Sequence, residues 1–196
     1  MQITNLLSND RCSLALIGGA YKSGTSMLCE SFEVAGYRNP ASLMSPVEFG
    51  HGSIVALYET RECVAVRRWN RQLVAGHPRD ARAIERKIAS YLLEVFAELG
   101  PRVVIKDPYT KLTAKHWCDV ARRLNIRDVK LLTTVRSPVA IVRSWSRSRF
   151  LTRQWKAHPC AFEHLLEPMS RVNIELHRLQ GAEVIQIPFP SVKRGL

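Results

Sequence analysis

Long hydrophobic runs are missing from this chain. The longest, Cys12 to Ala20, contains two glycines and falls far short of the roughly 18 residues that a membrane-spanning helix needs. The first ten residues, MQITNLLSND, have neither a basic segment nor an adjoining apolar core, so no secretory signal is expected there. Cysteines are few and scattered. Cys12, Cys29, Cys63, Cys118 and Cys160 include no Cys-x-x-Cys pair. This argues against a zinc cluster or a disulfide framework and for reduced, mostly buried thiols in a cytoplasmic protein. Internal repeats, low-complexity tracts and a dividing linker are also lacking, so residues 1–196 read as a single domain. A 46% hydrophobic content with mean hydropathy −0.11 excludes the disordered and fibrous classes.

Acidic residues are scarce: 17 Asp and Glu stand against 29 Lys and Arg, for a net charge of +12. The excess is mostly arginine, 21 residues against 8 lysines. Guanidinium groups suit bidentate capture of phosphate- and sulfate-like oxyanions. The balance favours an anionic ligand, without choosing among nucleotide, nucleic acid and acidic surface. Between Arg122 and Lys156 ten basic residues face one acid, Asp128.

Strand and helix patterns alternate. Ser13–Gly18, Arg102–Lys106, Val129–Val135 and Glu183–Pro188 are short apolar runs suited to buried strands. Helices are expected over 23–35, ending at Gly36, and over 54–73, ending at His77-Pro78. A third is expected from an N-cap at Asp80 to Leu99, with Ile84, Ile88, Leu92, Val95 and Leu99 on one face. Another spans Thr110–Leu124, with Trp117, Val120, Ala121 and Leu124 inward. Pro138 opens a further helix, and 161–179 is helical too. The expected fold is α/β, a three-layer α/β/α arrangement around a mainly parallel sheet.

In such folds ligands bind at the carboxyl ends of the strands. Three polar clusters fall there. After the first strand comes Gly18-Gly19-Ala20-Tyr21-Lys22-Ser23-Gly24-Thr25-Ser26. Gly19 and Gly24 have the spacing of a Walker A loop, but Thr25, not lysine, follows Gly24, and the lysine stands earlier at Lys22. Backbone N–H groups of the loop and of the helix N-terminus still form an oxyanion cradle. The second cluster is Lys106-Asp107. The third is Arg136 at a strand tip, with Ser144 on the helix that follows.

The order Lys-Ser-Gly-Thr-Ser, then VVIKDP at 103–108, then Arg136, Pro138 and Ser144 resembles the sulfotransferases that use 3′-phosphoadenosine 5′-phosphosulfate (PAPS), bacterial members above all. The resemblance covers most of residues 12–150 and implies a P-loop-like fold. It implies that Tyr21, Lys22, Ser23, Gly24, Thr25 and Ser26 form the 5′-phosphosulfate loop and that Arg136 and Ser144 hold the 3′-phosphate. Lys22 and Lys106 then offset charge on the leaving phosphate and the transferring sulfonate. The lysines supply that charge with no metal required, and 3′-phosphoadenosine 5′-phosphate (PAP) is the product.

A hydroxyl or amine acceptor needs a general base. The segment Ser45-Pro46-Val47-Glu48-Phe49-Gly50-His51 loosely resembles a loop of bacterial members and departs from it in several places. His51 and Glu48 are the base candidates there, with Asp107 and His116 as further ones. The expected partner is a small-molecule or glycan acceptor, whose pocket Trp69, Phe150 and Trp155 could line. Neither nucleic acid nor a membrane span is expected. Competing readings are a P-loop nucleotide kinase or hydrolase, with Asp107 ending a Walker B-like strand, and a family member that binds the nucleotide but has lost transfer. Trp145 and Trp155 among arginines could also stack on nucleic-acid bases.

Overall fold

The computed structural model describes residues 12–19, 24–40, 61–76, 78–137, 139–141, 143 and 182–188. Among these, four strands form one all-parallel sheet: β1 (Ser13–Gly18), β2 (Arg102–Lys106), β3 (Asp128–Val135) and β4 (Glu183–Pro188), in the order β2-β1-β3-β4. The helices are α1 (Thr25–Val34), α2 (Arg61–Ala75), α3 (Pro78–Leu99) and α4 (Thr110–Arg123). Residues 139–141 and 143 are also helical. No described helix is long and apolar enough to cross a membrane.

Strand period decides which side chain meets which layer. Leu14, Leu16, Val103, Ile105, Val129 and Leu131 point to one face of the sheet. There they pack with Val66 and Leu73 of α2, Ile84, Ile88, Leu92 and Val95 of α3, and Trp117, Val120 and Ala121 of α4. Ala15, Ile17, Val104 and Leu132 point to the other face, where Cys29, Leu28 and Phe32 of α1 and Tyr37 cover them. Helices therefore lie on both faces of a sheet whose central strands are apolar on both sides, as a parallel sheet requires. Beyond α1, Arg38 forms a single parallel bridge to Val103 at the outer edge of β2. Cys12, Cys29 and Cys118 are buried thiols, and burial pushes Cys118 up to about 11. Cys63 and Cys160 have no described side chain.

Several expected boundaries move. The first helix runs over Thr25–Val34, because Gly24 adopts a left-handed conformation that ends the loop. The second extends past Leu73 to Ala75, and its expected start at 54 lies outside the described residues. Asp80 is not the N-cap of α3, which begins at Pro78. Proline lacks only an N–H that the first turn leaves unused, and Asp80 lies within that turn, where a carboxylate favours the helix dipole. The helix expected over 161–179 lies outside the described residues.

Candidate functional site

The strand order places a topological switch between β1 and β3. From β1 the chain goes on to β2 on one side, and from β2 it crosses to β3 on the other. Ligands of open parallel sheets bind in the crevice at the carboxyl ends beside such a switch. Gly18, the last residue of β1, is in register with Thr133 of β3, three residues before Arg136. The loop after β1 and the Arg136 tip thus lie on the same rim at adjacent strands.

On that rim α1 presents an uncompensated N-terminus. Gly24, with φ 97° and ψ 9°, is its N-cap and provides no capping side chain. The conformation explains the glycine, since a Cβ there is strained. The first turn holds no acidic residue. With no capping side chain from Gly24 and no acid in the first turn, the positive end of the helix dipole favours an anion here. Thr25 is buried and Ser26 half-buried. Lys106 ends β2 in register with Ile17 and shares the α1 face with Val104. Its buried side chain crosses to α1, where Nζ donates to Ser26 Oγ at 3.1 Å. Two residues 80 positions apart in the chain thereby meet at one helix N-terminus. Arg136 is half-buried just beyond β3. Thr133 buries its hydroxyl with no hydrogen-bond partner among the described residues.

The next corner is built differently. Asp107 follows Lys106 but faces the α2–α4 layer. Its Oδ1 accepts from Asn70 Nδ2 (2.9 Å) and from the Tyr109 amide (3.0 Å), and its Oδ2 accepts from Arg67 Nε (3.3 Å). Burial pushes its carboxyl up, and the bonds from Asn70, Arg67 and Tyr109 offset this only in part. Asn70 also donates to Thr110 Oγ1 (3.4 Å), and its carbonyl accepts from Thr113 Oγ1 (2.7 Å) and Trp117 Nε1 (2.8 Å). Both N–H bonds and both lone pairs of the amide are spent. The corners are stitched together by Asp107 N–H to the Ile17 carbonyl (3.1 Å) and Gly19 N–H to the Pro108 carbonyl (3.4 Å). Packing is closest at Gly18, where an added Cβ would lie 2.5 Å from the Lys111 backbone nitrogen.

Of the sequence-derived site residues, Lys106, Gly24, Thr25, Ser26 and Arg136 are placed at this rim. Tyr21, Lys22, Ser23, Glu48, His51 and Ser144 lie outside the described residues. Two base candidates are turned elsewhere. Asp107 is sealed in the Asn70 network, and His116 sits along α4 with its Nδ1 2.8 Å from Glu85 Oε1 of α3. Trp69 packs against the core, edge-on to Tyr91 with ring centroids 5.6 Å apart. Asn70 had no signal in the sequence, because a single asparagine within an arginine-rich helix has no motif. Compared with known proteins, the sequence matches no protein-family model and no curated protein.

Proposed function

We propose that this chain is a sulfotransferase that moves a sulfonate group from PAPS to a hydroxyl or amine of a small-molecule or glycan acceptor. One observation carries the reading: the bond from Lys106 to Ser26 joins the lysine of the VVIKDP segment to the Ser-Gly-Thr-Ser loop at an uncapped helix N-terminus. A helix N-terminus with the hydroxyls of Thr25 and Ser26 and the buried Lys106 ammonium beside it suits a phosphosulfate.

In this reading the amides of the first turn of α1 and the hydroxyls of Thr25 and Ser26 hold the 5′-phosphate. Lys106 and Lys22 stabilise charge on the sulfonate and on the oxygen it leaves. Arg136 and Ser144 hold the 3′-phosphate and fix the donor for in-line attack. His51 or Glu48 takes the acceptor proton. The kinase reading has less support, because both oxygens of Asp107 are engaged by Arg67, Asn70 and Tyr109 instead of facing the rim.

Thermal unfolding with PAP, against ATP with magnesium, tests the reading. A ligand at about 100 times its Kd stabilises the folded chain by about 2.7 kcal/mol. Stabilisation by PAP that is lost in Arg136→Ala is expected. Stabilisation by magnesium ATP alone overturns the proposal in favour of the kinase.

A further inference from the structure

A second concentration of positive charge lies away from the rim. Between α3 and α4 an open groove of about 440 Å³ is lined by Arg82, Glu85, Arg86 and Arg123. Three guanidinium groups thus face one carboxylate, and that carboxylate is already occupied. Glu85 Oε1 meets His116 Nδ1 at 2.8 Å, and its Oε2 accepts from Arg123 Nη2 at 2.6 Å. Burial alone would raise the Glu85 carboxyl, but the bonds to His116 and Arg123 prevail and hold it below its ordinary range. Glu85 stays ionised and anchors Arg123 Nη2 at the groove wall, while Arg123 Nε donates to the Asp119 carbonyl of α4 at 3.3 Å, so the guanidinium is held from both helices.

Arg82 and Arg86 are exposed and four residues apart on α3, one turn of the same face. Like charges at this spacing repel along the helix, which a bound anion relieves. Arg123 lies 13 residues along α4 from Thr110 at the rim, about 20 Å at the rise of an α-helix.

We infer that the Arg82–Arg86–Arg123 groove is a separate binding site for a small, multiply charged oxyanion, a molecule bearing clustered phosphate or sulfate groups. The guanidinium forks of α3 and α4 grip such groups from two sides, and Glu85 with His116 keeps Arg123 in place. The assignment does not depend on the sulfotransferase reading, because none of these residues belongs to the rim.

Calorimetric titration of the full chain at low salt tests it, using inorganic pyrophosphate in one arm and a fully sulfated disaccharide in the other. Each is run with and without PAP, so that anion binding at the rim is separated from binding at the groove. The expected result is one event that persists with PAP present, weakens at least tenfold in Arg82→Gln/Arg86→Gln, and changes less than twofold in Arg38→Gln/Arg68→Gln. The last pair removes the same charge from exposed positions elsewhere. Tighter binding in one arm identifies whether phosphate or sulfate groups are the natural load, and either supports the site. An equal loss in both double variants overturns it as diffuse attraction to a basic protein. Binding of an oligonucleotide, but of neither small anion, through the same arginines overturns it in favour of nucleic acid. Both substituted side chains are exposed, so an unchanged unfolding midpoint confirms that the fold is retained.

Discussion

Lys106 and Asp107 are neighbours in the chain and opposites in the fold. The corner after β1, which Lys106 joins, ends in a helix N-terminus whose glycine N-cap brings no side chain and whose first turn holds no acid, with Lys106 donating to Ser26 at its margin. The corner after β2, which Asp107 anchors, spends every hydrogen-bonding position of Asn70 and both oxygens of Asp107. Strand alternation sends the two residues to opposite faces, so one charge lies at the helix N-terminus of the rim and the other braces the corner behind it. Burial of polar groups is affordable only when they are paired, so a sealed corner is a structural device and an open one is available for chemistry.

The sealed corner is broken most severely at its hub. Asn70→Ala takes the acceptor from Trp117 Nε1 and one bond each from Asp107 and Thr113, which keep their bonds to Arg67 and Tyr109. At about 1–3 kcal/mol for an unsatisfied buried group, a loss of roughly 3 kcal/mol is expected in urea unfolding. The open corner is expected to behave in the reverse way. If the proposed function holds, Lys106→Met is expected to lower sulfonate transfer by about 10²–10³-fold, the usual cost of losing one preorganised charge donor, while the urea midpoint moves little. Equal losses of stability in both variants would erase the distinction between the corners.

Lys111 sharpens the comparison through pH. It is buried in the first turn of α4, and burial lowers its pKa from 10.5 to about 8. Below pH 8 the folded state therefore carries the desolvation cost in full. Between pH 8 and 10.5 the unfolded chain holds more protons, so stability rises with pH across that window. At about 1.4 kcal/mol per tenfold change, the rise is roughly 3 kcal/mol. Lys111→Met is expected to flatten it and to raise stability at pH 7, as read from urea midpoints between pH 7 and 10.5. The smallest effect belongs to Ser26→Ala, which removes one hydroxyl from the open corner. About a tenfold loss in PAP affinity, near 1.4 kcal/mol, is expected by calorimetry, with unfolding unchanged.

Much of the frame was legible in the sequence. The strands 13–18, 102–106 and 183–188 stand at their expected bounds, and β3 differs by one residue. Short apolar runs between glycines, prolines and amphipathic stretches leave a chain few alternatives. Helix ends were less legible. The start of α1 depends on the left-handed Gly24, and the role of Asp80 depends on Pro78 opening α3, which are matters of backbone conformation. At the rim, the placing of Gly24, Thr25, Ser26, Lys106 and Arg136 followed from their positions after strands. The sealing of Asp107 did not, because its partners Asn70 and Arg67 lie about 40 residues away with no marking pattern.

By itself the sequence determined the alternation of strand and helix, the basic balance of the chain and the order of its polar clusters. These properties rest on local periodicity and composition. Only the tertiary structure decided the strand order β2-β1-β3-β4, the meeting of Lys106 with Ser26, the sealing of Asp107 and the joining of Arg82, Arg86 and Arg123 across two helices. Those depend on which distant surfaces pack together, and burial of apolar faces fixes that globally.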